Sequence, residues 1–382
     1  MKITLPDNSV RELPQGSSGY DLANDIGAGL AKAAVAIEVD GMHQDLHDSI
    51  EKDSSVSIIT IDSEAGLEIM RHTLTAQVLA RALKNIYPKS SLAIGPTIDN
   101  GFYYDIETDE SISIDDLNRI EDEMHKIIET KSSITKKLMS KKEALSIFKS
   151  LNEPYKQTII NEAEQQEDFQ LYYQDDDKFV DLCRGPHLPS LSFIGPFKLT
   201  KVSGAYWKGD SNNKMLTRIY GTAWNNEKEL KKYLSDIEEA KKRDHRKLGK
   251  ELNLFSITDE IGPGLVLWHP KGSTIRNVIE NYWREKHIDS NYELIYTPHI
   301  AKANLWETSG HTEFYSENMF SPMEIDTNSY LTKPMNCPFH IMIYKSELRS
   351  YKDLPVNIKN NSLPKGEIAM SWASYAHTLM GF

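Results

Sequence analysis

The stretch Phe179-Val180-Asp181-Leu182-Cys183-Arg184-Gly185-Pro186-His187 places an acid, a thiol and an imidazole within seven residues. Arg184 and a Gly-Pro pair separate the thiol from the imidazole, which predicts a loop from Asp181 to His187. Such a loop can direct three polar side chains to one point. These residue types fit half of a metal site, a thiol nucleophile with its base, or a hydrolytic site that activates water. An ordinary buried Cys and a surface His are the competing interpretation.

The composition is that of a globular protein with room for two to four domains in 382 residues. No apolar run approaches the roughly 20 residues that span a bilayer, and MKITLPDNSV lacks the apolar core of a signal peptide. We therefore predict a cytoplasmic protein with no membrane partner. The chain has only two Cys, Cys183 and Cys337, which argues against a disulfide scaffold and fits a reducing compartment.

The net charge of −12 is not typical of a nucleic-acid-binding protein, so RNA would have to bind a local basic patch. The best candidate is the run at 241–250, for which a solvated helix face is the alternative. Its basic residues are Lys241, Lys242, Arg243, His245, Arg246, Lys247 and Lys250.

Hydrophobic periodicity and turn residues predict an α+β multidomain chain. In residues 1–62, strand patterns lie on both sides of the turn signal Pro6–Ser9. A capping box, Ser18 with Asp21, then begins a helix that Gly27 and Gly29 are expected to end. Together these elements suggest a β-grasp domain. Residues 63–225 begin with a helix over 66–87 and continue with two amphipathic helices. From 155 to 224 the pattern predicts strands and loops. A linker helix is predicted over 226–250, and a third region over 251–382.

Five segments of the chain resemble bacterial threonyl-tRNA synthetases. They are LAIGPTIDNGFYYD at 92–105, FVDLCRGPH at 179–187, GAYWKGDSNNKMLTRIYGTAW at 204–224, AKKRDHRKLGKELNLF at 240–255 and LTKPMNCPFH at 331–340. The resemblance implies a β-grasp TGS domain, an α+β editing domain with a companion subdomain, and part of the antiparallel-sheet core of a class II synthetase.

The resemblance also implies an activity. Members of this family use ATP with Mg²⁺ to attach threonine to the acceptor arm of threonine tRNA, as homodimers. A pocket distinguishes serine from threonine by only one methyl group, worth about 1–3 kcal/mol, so an editing site hydrolyses the seryl-tRNA that forms in error. Asp181, Cys183 and His187 match the family's editing motif. His187 is the candidate that handles the attacking water, and a structural or water-positioning role is expected for Cys183.

Two further parts of the editing motif are expected from the resemblance. Lys156 matches the family's editing lysine, which could position the ester or hold a neighbouring carboxylate. The family's partner helix carries two histidines four residues apart. Here a gapless count places Thr73 and Gln77 at those positions, whereas matching Arg71-His72 directly places Ala76 at the second one. Neither Thr73 nor Gln77 titrates near neutral pH, and His72 is interpreted as a surface helix histidine.

The third region matches the start of the synthetic core. Met335 matches a residue that lines the threonine pocket, and Cys337 matches the first ligand of a catalytic zinc. The family's other two zinc ligands are histidines further along, for which this chain has no match. His340 lies three residues after Cys337, but the resemblance places no ligand there, which favours an exposed or pocket-lining histidine.

After about residue 356 the resemblance ends. No Arg occurs from 350 to 382, where the family's ATP-gripping Arg is expected. We therefore predict a core that is truncated and divergent after about 356. Three functional hypotheses follow: a threonine–tRNA ligase with editing, an editing-only hydrolase of seryl-tRNA, and an inactive tRNA-binding fragment.

Overall fold

The computed structural model describes residues 1–164, 168–174, 178–262, 264–316, 319–354 and 356–360. The chain divides into two compact units, which we call unit 1, Met1–Asp236, and unit 2, from Ile237 onward. Within the described ranges, no helix is both long enough and apolar enough to cross a bilayer. The predicted domain boundaries at 62, 225 and 250 stay predictions.

The N-terminal part of unit 1 is a five-stranded sheet in the order β2-β1-β5-β3-β4. Its elements are β1 Lys2–Thr4, β2 Val10–Glu12, α1 Gly19–Ile26, α2 Ala28–Ala33, β3 Ala34–Val39, β4 Met42–Asp45 and β5 Ser54–Thr60. The predicted hairpin forms, with Lys2 paired to Glu12, and the predicted capping box opens α1.

Two features of this sheet differ from the prediction. Gly27 caps α1 at its C-terminus, but Gly29 lies inside α2. The strand β4 was not predicted, although Asp40 and Gly41 both have positive φ and join β3 to β4. Asp-Gly is a strong hairpin signal, so this dipeptide in the sequence indicates the turn into β4.

The long helical pattern that follows is one continuous helical run of three parts: α3 Glu64–Thr73, a π-helix Leu74–Leu79, and α4 Ala80–Ile86. All six residues of the π-helix are buried. Three of them, Leu74, Val78 and Leu79, belong to the main core of unit 1, together with Phe102, Tyr104 and Ile219. The period-3.6 pattern predicted the helix, but the π-helical turn was not predicted.

A second sheet, which is antiparallel, packs on this helical run in the order β12-β13-β8-β6, with β7 also paired to β8. Its strands are β6 Ser91–Leu92, β7 Thr97–Ile98, β8 Gly101–Glu107, β12 Phe197–Tyr206 and β13 Met215–Ala223. The helix α5, Leu117–Glu129, buries Leu117, Ile120, Met124 and Ile127 along one face, as expected for an amphipathic helix.

A three-stranded antiparallel sheet, in the order β11-β10-β9, completes unit 1. Its strands are β9 Ile134–Met139, β10 Phe169–Gln174 and β11 Phe179–Leu182, and its helices are α6 Lys141–Ser150 and α7 Pro154–Glu162. The prediction of strands and loops from 155 is wrong for α7. Pro154 occupies the first turn, where a fixed φ and a missing N–H favour helix initiation, and Ile160 packs beside Phe148 in a small separate core.

The remaining described elements begin with α8, within which the unit boundary falls, and continue through unit 2. They are α8 Glu227–Lys242, α9 His245–Glu251, β14 Phe255–Ser256, β15 Leu267–Trp268, α10 Pro270–Asp289, β16 Glu293–Ile295, β17 Ile300–Lys302, α11 Ala303–Thr308, α12 His311–Phe314, β18 Met323–Ile325, β19 Asn328–Thr332, α13 Cys337–Lys345 and β20 Ile358–Asn360.

Unit 2 contains a long helix, α10, which is followed by the strand β16. The strand β20, which no pattern predicted, pairs parallel to β16. The rest of the segment predicted to diverge after about 356, residues 361–382, lies outside the described residues.

Candidate active site

The helical run from Glu64 to Ile86 supplies one wall of the candidate site. Its middle is the π-helix Leu74–Leu79, and such wider turns inside α-helices are frequent at functional sites. Thr73 lies immediately before this segment and Gln77 lies within it, and both are fully buried.

The structure gives these two predicted positions different partners. Thr73 Oγ1 lies 3.1 Å from His187 Nδ1 and accepts a hydrogen bond from the Leu188 backbone N–H at 2.9 Å. The side-chain oxygen and the carbonyl of Gln77 both accept from Gln174 Nε2, at 2.8 and 2.7 Å. Thr73 is therefore the residue that contacts the predicted water-handling histidine, whereas Gln77 ties the helix to β10.

Asp181 and Lys156 form a buried ion pair. Lys156 Nζ lies 2.5 Å from Asp181 Oδ1, and the two side chains are 3% and 2% exposed. The Tyr104 hydroxyl donates to Asp181 Oδ2 at 3.3 Å. Burial raises the pKa of Tyr104 well above its usual value, and Asp181 adds to this shift, so the phenol stays protonated and remains a donor. Of the two roles predicted for Lys156, holding a carboxylate is the one with a contact in the structure.

Cys183 is paired with a histidine that the sequence analysis did not select. His72 Nε2 lies 2.8 Å from Cys183 Sγ, and the His72 ring stacks on that of His187 with 4.7 Å between centroids. The prediction of a surface histidine is therefore wrong, because the helix turns this face toward the loop that carries the thiol. Burial lowers the pKa of His72, so its ring is neutral at neutral pH.

His187 is held on several sides and is only 1% exposed. Besides Thr73 and His72, the ring meets the edge of Tyr172 with 4.3 Å between centroids. The backbone N–H of His187 donates to Asp45 Oδ1 at 2.8 Å. Its Nε2 is buried and has no hydrogen-bond partner among the described residues. One imidazole nitrogen is thus left for water or a substrate.

The ligand atoms of His72, Cys183 and His187 lie within 4.8 Å of one another, close enough to raise the question of a metal ion. Tetrahedral zinc would hold a nitrogen and a sulfur ligand roughly 3.5 Å apart. The 2.8 Å between His72 Nε2 and Cys183 Sγ is shorter and fits a direct hydrogen bond. The geometry therefore favours a hydrogen-bonded pair over two ligands of one zinc ion.

The residues predicted for the synthetic core lie at the start of α13 in unit 2. Met335 is partly buried, and Cys337 is exposed as the first residue of the helix. His340 Nε2 is buried with no hydrogen-bond partner among the described residues, and burial lowers its pKa. In the part of the chain that the structure describes, Cys337 belongs to no group of three His, Cys, Asp or Glu that could share an ion. The described residues thus do not form a zinc site around it.

Two known domain families match parts of unit 1. The TGS domain matches residues 1–60, which form the N-terminal sheet. The family described as "Threonyl and Alanyl tRNA synthetase second additional domain" matches residues 170–220, a range that includes Asp181, Cys183 and His187. The predicted fold class is confirmed: the chain has mixed α and β structure with antiparallel sheets, a TGS domain and an editing domain.

Two curated relatives and one solved structure are similar to this chain. The threonine–tRNA ligases of Acidithiobacillus ferrooxidans and Nitrosococcus oceani are each 51% identical to this chain over 354 residues, 93% of the chain and 54% of each relative. A solved RNA-binding domain of threonyl-tRNA synthetase from Cryptosporidium parvum Iowa II is 36% identical, with a TM-score of 0.30, over 31% of this chain and 29% of that one.

The chain spans about half the length of the curated relatives it matches. Over that half, both sequence identity and domain content agree with the resemblance found in the sequence. By these comparisons the chain is similar to the N-terminal part of threonine–tRNA ligase.

Proposed function

We propose that this chain acts as part of a threonine–tRNA ligase and that unit 1 hydrolyses seryl-tRNA formed in error. In the ligase reaction ATP, with Mg²⁺, activates threonine, and the acceptor arm of threonine tRNA receives it. We expect a cytoplasmic homodimer. Identity of 51% over 93% of the chain supports the ligase assignment, and the matches do not favour an inactive fragment.

The observation that carries the editing proposal is the state of His187. Thr73 engages Nδ1, and Nε2 is without a partner among the described residues. When Nδ1–H donates to Thr73, Nε2 keeps its lone pair and can accept a proton from water. That water attacks the ester carbonyl of seryl-tRNA, and the proton then passes to the departing ribose oxygen.

The neighbouring groups of the site have supporting roles in this proposal. The charges of Lys156 and Asp181 neutralise each other across 2.5 Å, so the buried site keeps two polar groups without a net charge. Cys183 holds His72, which stacks on His187.

The test is deacylation of seryl-tRNA by purified chain and by a His187→Ala variant. A general base contributes about 10²–10⁴-fold, so we expect a loss on the order of 100-fold or more. His47→Ala is the matched control, because His47 is an exposed histidine of the same unit. An unchanged rate in His187→Ala, with the variant folded as judged by thermal unfolding, would rule out the proposed role.

An editing-only hydrolase is the second candidate. It is favoured by one observation: the contacting residues Thr73, Lys156, Asp181, Cys183 and His187 all lie in unit 1. Threonine-dependent exchange of pyrophosphate into ATP separates the candidates. Exchange together with deacylation supports the ligase, whereas deacylation without exchange supports the hydrolase.

A further inference from the structure

One carboxylate of the N-terminal sheet reaches the loop that carries His187. Asp45 is the last residue of β4, and its side chain is 15% exposed. Its Oδ1 accepts a hydrogen bond from the His187 backbone N–H at 2.8 Å. Its Oδ2 accepts from the Tyr172 hydroxyl at 2.7 Å and lies 3.0 Å from Lys136 Nζ. Asp45 thus connects the β3–β4 hairpin to β9, β10 and the loop after β11.

Both hydrogen bonds of Asp45 bear on the position of the same imidazole. One fixes the backbone of His187, and the other fixes the phenol of Tyr172, whose ring edge contacts the imidazole. The loop that carries His187 also packs closely against the Tyr172 hydroxyl. Gly185 has a φ of +64°, and a Cβ added there would overlap the Tyr172 hydroxyl. A displaced Tyr172 would therefore disturb the loop at two points, Gly185 and His187.

The electrostatic surroundings keep this arrangement in one protonation state. Burial raises the pKa of Tyr172 far above its usual value, and Asp45 adds to the shift, so the hydroxyl stays a donor. Lys136 balances the carboxylate charge and also pairs with Asp48. Hydrogen bonds to a charged acceptor are shorter and stronger than neutral ones, which favours a single position for the loop.

We propose that Asp45 is a positioning residue for His187, supplied by the N-terminal sheet. The proposal rests on the proposed deacylation of seryl-tRNA. Asp45 does not touch the reacting atoms; it acts through the His187 backbone and the Tyr172 ring. Because a misplacement of about 1 Å can cost on the order of 100-fold in rate, loss of these two contacts should lower kcat.

The experiment compares three variants of the full chain in seryl-tRNA deacylation. Asp45→Ala should lower kcat about tenfold or more with KM within about twofold, because the base is displaced while tRNA contacts are kept. Asp45→Asn keeps an acceptor oxygen for the His187 N–H and should recover part of the loss. Asp25→Ala is the control, because Asp25 is an exposed carboxylate of α1 that pairs with Arg11.

The outcomes are separable from the fate of the proposed function. A wild-type kcat in folded Asp45→Ala overturns the positioning role. If Asp45→Ala does not fold, Tyr172→Phe decides, because it removes one of the two contacts and keeps the ring; an unchanged kcat then overturns the proposal.

If the wild-type chain deacylates no seryl-tRNA, the proposed function is wrong. NMR of the histidine rings then tests separately whether Asp45 positions His187. With the His187 signal assigned by its loss in His187→Gln, that signal should shift or broaden in Asp45→Ala and not in Asp25→Ala. No change in Asp45→Ala overturns the proposal.

Discussion

The two cysteines of this chain, one in each unit, have contrasting surroundings. Cys183 is partly buried, packs against the main core and lies 2.8 Å from His72. Cys337 is exposed at the first turn of α13, and among the described residues it joins no group of potential ligands. Both were selected from short motifs of similar appearance. The contrast teaches that a motif becomes a site only where distant segments supply partners, as the helical run 64–86 does for Cys183.

The largest effect expected in unit 1 comes from its buried ion pair. Lys156→Met should lower the free energy of unfolding by about 3–5 kcal/mol, because it leaves the Asp181 carboxylate buried without its cation. Urea denaturation measures this loss. The control is Lys231→Met, whose partner Glu227 is exposed and 4.0 Å away; it should change stability by less than about 0.5 kcal/mol. Equal effects in the two variants would contradict a structural role for the buried pair.

A smaller effect distinguishes the two cysteines directly. Cys183→Ala should destabilise the chain by about 1–2 kcal/mol, since it removes packing against the core and leaves His72 Nε2 without its partner. Cys337→Ala should stay within about 0.5 kcal/mol, as for an exposed surface position. Thermal and urea unfolding of both variants give the comparison. A larger loss in Cys337→Ala would show that the contrast between the two environments is wrong.

The smallest effect is a pH dependence from His72. Burial lowers its pKa in the folded chain, so the unfolded chain binds the proton first as the pH falls. Stability associated with His72 is therefore complete above the unfolded-state pKa of about 6.5 and decreases as the pH falls below it. Urea unfolding between pH 7.5 and 5.5 should show a shallower decrease in His72→Gln than in the wild-type chain. Identical slopes would indicate that His72 does not titrate differently on folding.

Much of the fold was predictable because it depends on neighbours in sequence. The Ser18–Asp21 capping box and the amphipathic face of α5 each formed as predicted. The elements that were not predicted also depend on short stretches of sequence. The Asp40-Gly41 turn signal was overlooked, so β4 and its last residue, Asp45, were not selected. The helix α7, which begins at Pro154, lies where strands and loops are predicted from residue 155.

The candidate site was less predictable than the fold. Helical spacing placed Thr73 and Gln77 on one face, but it could not show that a π-helical turn follows Thr73. It also could not show that Gln77 contacts Gln174 while Thr73 contacts His187. His72 was judged from its own helix alone, and its partner lies 111 residues away. Such contacts depend on how the sheets and helices pack together. A short window of sequence carries no information about that packing.

The amino-acid sequence was enough to indicate the resemblance to threonyl-tRNA synthetases, the α+β class and most helices and strands, because caps, turns and periodic apolar residues act over a few neighbouring positions. It also identified Asp181, Cys183 and His187 as a group. Only the tertiary structure decided that Lys156 pairs with Asp181, that His72 joins Cys183, and that Asp45 binds the His187 backbone from 142 residues away. The physical reason is that burial and packing, rather than local conformational preference, select the partner of a polar group in a core.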